Sequence, residues 1–396
     1  MELKGKAAIC GLGITDQGKV YGKTAYQFGI EAVHLALQDA GLPKDDLDGL
    51  LIYTGNATGG SSSFDQKTIL PNFMGLRHLN LYSYVDTMGA SAGAMVQYAA
   101  TAVAFGLANY VACVFADAPL RDSGASSGSS LGMFKRPFPS GMAGLKLHYG
   151  YYGANTWYAL AAQRHFHQYG TTSEQLGAIA VAQRQWAAMN PRAQMRSPIT
   201  VEDHQASRFV VEPLHLLDCC LVSNGGVAVI VTTAERARAL KQPPVYVWGV
   251  AQAHRGDTTR AMPGDYTESP APRAKATAFR MAGIEIEDID VAELYDCYTI
   301  TVLETLEDYG FCEKGEGGAF VEDGKLGPGG ALPTNTGGGE LSGYYMRGHT
   351  PLSEGVIQAR GQGGERQAEP HNLVLVTGNG GWLQHHATMV LSPLSS

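Results

Sequence analysis

The sequence predicts an α/β protein in which one unit is used twice, and three observations carry that prediction. Strand-like apolar runs alternate with helical stretches, the pattern of a largely parallel sheet covered by helices. One segment recurs: residues 40–53 read AGLPKDDLDGLLIY and residues 282–295 read AGIEIEDIDVAELY, matching without a gap and pairing Tyr53 with Tyr295. The chain is 44% apolar, and glycine takes 50 of its 396 positions, well above the usual share of about 7%. Together these exclude disorder and predict a packed protein with many tight turns and close backbone approaches.

The elements follow in order. Residues 7–12 form a buried strand. A helix over 24–40 places small or apolar residues at Gly29, Ala32, Val33, Ala36, Leu37 and Ala40. The turn at 41–49 leads into a strand at 50–53. An alanine- and glycine-rich helix at 91–106 precedes an apolar run at 110–116. A weaker echo of that last pair follows the second repeat copy, as a helix at 351–360 and a strand at 372–377. The halves are then 1–235 and 236–396, of five or so strands each, with a loop or cap insertion at about 117–215. Inside the insertion, residues 117–153 are rich in Ser, Gly and aromatics, and a helix follows at 154–169. Residues 315–364 hold 16 glycines, a run that can seat a ligand against main-chain N–H groups.

Composition narrows the class. The net charge of -8 and the lack of a basic run argue against nucleic acid as a partner. No stretch of 18 or more apolar residues is present to span a membrane, and the first residues do not read as a signal peptide. The six cysteines lack a CxxC spacing and suit buried, reduced thiols. A cytoplasmic enzyme is expected. Common motifs fail: Gly11-x-Gly13 lacks its third glycine, no Walker sequence or GxSxG elbow occurs, and no metal-ligand set is present.

With the repeat, three stretches resemble the thiolase superfamily, and within it the branch of sterol-carrier-type thiolases. VEPLHLLDCCLVSNGGVAVIV (211–231) is similar to that branch's paired-cysteine segment, with Asn224 in place of aspartate. AELYDCYTITVLETLEDYGFC (292–312) is similar to its E-L-H-D-C-F segment, and PTNTGGGELSG (333–343) to its N-P-S-G-G stretch. The resemblance covers essentially the whole chain. It implies a thiolase-like fold, a duplicated five-layered α-β-α-β-α architecture.

The departures shape the expected chemistry. Where a thiolase carries its nucleophilic cysteine, VDTMGASAG (85–93) has Gly89. The second thiolase cysteine falls on Gly378, and the two histidines fall on Tyr295 and Tyr345. Without a nucleophile there is no acyl-enzyme. A phenol, both donor and acceptor, keeps the acid–base option. This pattern resembles the thiolase-like aldolases that shorten steroid side chains in bacteria.

That resemblance implies a retro-aldol cleavage of a β-hydroxyacyl-CoA. The indicated substrate is a 17-hydroxy steroid CoA ester yielding a ketosteroid and propionyl-CoA, with an acetyl-CoA-releasing relative left open. It also implies a homodimer and a complex with a small OB-fold and zinc-ribbon protein. No cofactor is expected beyond the CoA of the substrate. Tyr295 and Tyr345 are the catalytic candidates, with Tyr344 as the register alternative; which is base and which acid stays open. His349 is a further candidate for the second histidine position. Tyr298 is expected to pack, and Asp296 either to orient Tyr295 or to cap the following helix. Gly89, Gly378, Asn335, Gly338 and Gly339 are the candidates for substrate binding. The two former cysteine positions are expected to leave room, and their N–H groups to bind the thioester oxygen. Arg184, Arg192 and Arg196 are the candidates for CoA contacts. The rival readings are an acyltransferase or Claisen-type homologue, and a non-catalytic acyl-CoA or lipid-binding subunit.

Overall fold

A computed structural model of the chain describes residues 3–54, 70–122, 141–151, 153–256 and 266–396. Its main strands are β1 (Ala7–Ile14), β2 (Gly49–Thr54), β3 (Leu81–Tyr84), β4 (Tyr110–Asp117), β5 (Gly225–Thr233), β6 (Val245–His254), β7 (Val291–Glu293), β8 (Val374–Gly380) and β9 (His385–Ser392). The helices that matter here are α1 (Ala25–Ala40), α2 (Ser91–Ala104), α3 (Ala154–Tyr169), α4 (Ser173–Met189), α5 (Ala271–Ala282), α6 (Thr299–Tyr309) and α7 (His349–Ala359).

Among the described residues these strands form one sheet in the order β3-β2-β4-β5-β1-β6-β9-β8-β7. From its middle outward the same unit is written twice, as β1-β5-β4-β2-β3 on one side and β6-β9-β8-β7 on the other. In each half the first two pairings are antiparallel and the third is parallel. The repeated segments thus end on equivalent strands, β2 and β7, and the weaker echo falls on the equivalent pairs α2–β4 and α7–β8.

The sheet is mixed, whereas the alternation of elements predicted a largely parallel one. In the first half the chain leaves the sheet after β4, builds the cap that contains α3 and α4, and returns antiparallel as β5. In the second half β8 and β9 form a hairpin. Neither return needs a crossover helix, so neither strand is parallel to its neighbour.

Local chemistry sets the repeated helices. Thr24 and Gln27 form a capping box at the start of α1, and Gly41 ends it in the left-handed conformation with φ 68°. Gly283 ends α5 in the same way, with φ 67°. α1 packs on β1, β5 and β4, and α5 packs on β6 and β9. α2 and α7 lie between the halves. α2 meets β4 and β5 of the first and β6, β8 and β9 of the second, and α7 meets β8, β7 and β5. The layers therefore run α-β-α-β-α. A helix clasped by two sheet layers must be slim and buried on most faces, which is why Ala, Gly and Ser make up more than half of α2.

No described helix is long and apolar enough to cross a membrane. Most of the Ser/Gly/aromatic stretch at 117–153, including residues 123–140, lies outside the described residues.

Candidate active site

Tyr295 stands just beyond β7 and is 3% exposed. Its backbone N–H donates to Thr377 Oγ1 of β8 at 3.0 Å, and Thr301 Oγ1 of α6 donates to its carbonyl at 3.1 Å. Tyr345 follows the turn that joins the glycine cluster to α7. Its N–H donates to Ser223 Oγ at 3.0 Å, an oxygen that also accepts from Gln194 Nε2 at 2.7 Å. Held from opposite sides, the two phenol oxygens come to 3.3 Å.

Gly89 lies directly beneath this pair. A Cβ added there would stand 2.3 Å from Cζ of Tyr295 and 2.1 Å from the Asn379 carbonyl oxygen. The Tyr295 ring thus occupies the space into which a side chain at position 89 would project. Gly378 does something else: its added Cβ would lie 2.7 Å from the Gly89 carbonyl oxygen and 3.0 Å from Ala90 Cα. No room is left open at either position. The missing atoms admit a phenol ring at one and the main chain of residues 89–90 at the other, which corrects the expectation of free space for substrate.

Burial raises both phenols well above their ordinary range. For Tyr295 the neighbouring Tyr345 and Glu340 raise it further; Arg347 opposes them. For Tyr345, Arg347 is the largest influence after burial, and it acts downward. Arg347 has left-handed backbone, φ 51°. Its guanidinium lies 5.1 Å from the centre of the Tyr53 ring and 5.7 Å from that of Phe115. Burial alone would lower Arg347, but Tyr345, Tyr53, Tyr295 and Asp117 outweigh it and keep the charge. Both repeat tyrosines, Tyr53 and Tyr295, therefore converge on one cation.

The glycine turn is organised by Asp296. Its carboxylate accepts the N–H of Glu340 at 2.8 Å and of Leu341 at 3.1 Å, and an added Cβ on Gly339 would collide with it at 2.2 Å. Gly338 approaches Ala187 of α4, and its N–H donates to the Asn335 carbonyl at 2.8 Å. Asn335 accepts the Leu294 N–H through Oδ1 at 2.6 Å. These three residues shape the turn, and its Glu340 and Leu341 N–H groups are taken by Asp296. Asp296 is raised to about 7 by burial, with the Glu340 and Leu341 N–H groups acting the other way. Its hydrogen bonds go to the turn, so the carboxyl does not cap α6, and none of them reaches Tyr295.

Several other expectations are settled by position. Tyr344 is extended, so its side chain points opposite to that of Tyr345. Its hydroxyl lies 2.7 Å from Ser353 Oγ, and it lines a small cavity with Asn190, Glu293, Asn335 and Glu354. It does not join the pair. His349 opens α7, stacks on Phe115 with ring centres 6.0 Å apart, and is lowered to about 3 by burial. Tyr298 packs as expected, against Tyr158 at 4.5 Å. Arg184 is engaged inside the protein, donating to Ser342 Oγ at 2.9 Å and the Ser197 carbonyl at 3.0 Å.

Residue reasoning missed Arg347 and Glu340. Glu340 is fully buried, and among the described residues neither carboxylate oxygen has a hydrogen-bond partner. Leaving such a group unsatisfied costs about 1–3 kcal/mol or more, so its presence in the fold calls for a physical explanation. The signal lay in the quoted stretch itself, as a lone acid inside TGGGELSG.

With this geometry in view, the comparisons are specific. Residues 251–393 match the family described as Thiolase C-terminal domain-like. The chain is 38% identical, over 96% of its length and 96% of the other's, to a steroid side-chain-cleaving aldolase of Thermomonospora curvata. This chain belongs to the thiolase superfamily, in its branch of side-chain-cleaving aldolases. It is 36% identical, over 96% of its length and 97% of the relative's, to the 17-hydroxy-3-oxo-4-pregnene-20-carboxyl-CoA lyase of Mycobacterium tuberculosis. Among solved structures it is similar to an Ltp2-ChsH2(DUF35) aldolase, with TM-score 0.84, 37% identity and 98% of each chain covered.

Proposed function

We propose that this chain cleaves the Cα–Cβ bond of a β-hydroxyacyl-CoA whose β-carbon belongs to a steroid-like ring system. The best-supported substrate is a 17-hydroxy steroid with a three-carbon CoA side chain, giving a 17-ketosteroid and propionyl-CoA. The observation that carries this reading is the tyrosine pair seated over Gly89. It replaces a nucleophile with acid–base groups, and retro-aldol cleavage asks only for the latter plus a place for enolate charge.

An ordinary phenol costs about 4 kcal/mol to ionise at neutral pH, and burial adds to that here. Arg347 acts most strongly on Tyr345, so Tyr345 is the group that accepts the β-hydroxyl proton as the bond breaks. Tyr295 then protonates the enolate at Cα. CoA enters as part of the substrate, and the reading needs no further cofactor. Acyl transfer through a cysteine has no support, because the Tyr295 ring fills the position such a group would use.

We further propose that the chain works as a homodimer and in complex with a small OB-fold and zinc-ribbon protein. The DUF35 partner named with the similar aldolase supports the second part. The test is incubation of the chain, with and without that partner, with the steroid CoA ester. Ketosteroid and propionyl-CoA are expected in equal amounts. Tyr295→Phe and Tyr345→Phe should each slow release by about two orders of magnitude. Wild-type turnover in either variant would sink the tyrosine mechanism, and acyl transfer to free CoA would overturn the reading.

A further inference from the structure

We propose that the strap Asp218–Ser223 sets the spacing of the tyrosine pair, and that the hydrogen bond between Asp218 and Thr299 is its fixed end. This rests on the retro-aldolase reading above and adds two positioning residues to it. The strap is the middle of the paired-cysteine stretch 211–231. It bonds first to the segment that carries Tyr295 and then to the turn that carries Tyr345. At its start, Asp218 Oδ1 accepts from Thr299 Oγ1 at 2.6 Å, and Thr299 is the first residue of α6, into which the chain runs from Tyr295. The Cys220 N–H then donates to the Cys297 carbonyl at 3.0 Å. From there the strap crosses over. The Leu221 N–H donates to the Glu340 carbonyl at 2.9 Å, and Ser223 Oγ takes the Tyr345 N–H at 3.0 Å.

The ends of the strap matter because its middle is lightly covered. Asp218 and Thr299 are fully buried and Ser223 is buried, whereas Val222 is 48% exposed and Cys219, Cys220 and Leu221 are half-buried. Asp218 is also held from behind. Its Oδ1 lies 2.8 Å from Nε2 of buried His204, in the short helix Val201–Ala206, and its Oδ2 accepts the His215 N–H at 2.7 Å. A buried carboxylate with both oxygens hydrogen-bonded resists displacement, since moving it leaves desolvated polar groups unpaired. Thr299 therefore docks on a fixed point and brings the start of α6 with it. Thr301 of the same helix holds the Tyr295 carbonyl at 3.1 Å.

The consequence is geometric. Tyr295 is placed from α6 and Tyr345 from Ser223, so the 3.3 Å between their oxygens depends on the strap that joins those supports. A displacement of about 1 Å caused by a change away from the reacting atoms can slow a reaction about a hundredfold. Removing the Thr299 hydroxyl releases α6 from Asp218 and leaves the contacts to His204 and His215 in place.

The test is a double-mutant cycle on steroid CoA ester cleavage in the partner complex, using Thr299→Val, Thr299→Ser, Tyr345→Phe and the Thr299→Val, Tyr345→Phe double variant. Thr299→Val should lower kcat on the order of tenfold to a hundredfold with KM little changed. Thr299→Ser keeps the hydroxyl and should retain most of the rate. In the Tyr345→Phe background, Thr299→Val should cost only about twofold or less, because the hydroxyl it would misplace is gone. An equal loss in both backgrounds, or a Thr299→Ser protein as slow as Thr299→Val, overturns the proposal. If Thr299→Val is insoluble, Thr299→Ala takes its place in the cycle. A crystal structure of the folded variant judges the placement without substrate: phenol oxygens farther apart than 3.3 Å support it, and an unmoved pair overturns it. Wild type that releases no ketone, beside a separated pair in the variant, would defeat the retro-aldolase reading and leave the strap standing.

Discussion

An added methyl at residue 89 would overlap the Tyr295 ring, so Gly89→Ala is expected to cost at least the roughly 1–3 kcal/mol typical of overpacking. It should also push the phenol away from Tyr345. Denaturant unfolding should report the first effect and ketone release the second; a variant stable and active as wild type would show that the ring yields freely. Arg347→Met removes the cation that opposes burial at Tyr345. The phenol then becomes harder to ionise, so any alkaline rise in cleavage rate should move to higher pH. Residues of this kind divide by what a sequence exposes. Gly89 and Tyr295 were legible because they depart from a recognisable motif. Arg347 and Glu340 were not, since a charged residue in a glycine-rich stretch reads as a solvated loop unless burial is known.

At the scale of elements, the glycine turn and Asp296 form one device. Asp296 rises in the fold from 3.8 to about 7. A carboxyl raised on folding contributes stability fully at pH below its unfolded value, and loses that contribution as pH climbs through the folded one. The difference in unfolding free energy between wild type and Asp296→Asn should therefore change between pH 3.8 and about 7 and be flat on either side. A difference constant across that range would show that the carboxyl titrates normally. The same turn explains why the adjacent tyrosines could not be told apart from sequence. In extended backbone consecutive side chains point oppositely, so one of Tyr344 and Tyr345 had to face the core. Only the anchor at Ser223, more than a hundred residues away, decides which.

For the whole molecule, the duplication was the most legible feature. It rests on a helix, a stop glycine, an acidic turn and a strand, all local chemistry written twice. What the repeat did not show is strand direction, because the return of β5 depends on a cap with no counterpart in the second half. The halves are also not independent: α2 and α7 are each buried against strands of both. Residues 236–396 expressed alone should therefore be insoluble or lack a cooperative unfolding transition, and co-expression with residues 1–235 should restore both. At the edge, β3 pairs on one side only among the described residues, and an edge of that kind is a ready surface for strand pairing. If homodimerisation uses that edge, Ser83→Pro should yield monomers by light scattering while leaving the fold intact; an undiminished dimer would place the contact elsewhere.

The overlap between position 89 and the Tyr295 ring also makes the two positions answer to one another. A side chain at 89 and the present ring at 295 compete for one volume, so the effect of a change at either depends on what stands at the other. Gly89→Cys alone would meet the ring, and its cost should shrink when Tyr295→Ala is made in the same chain.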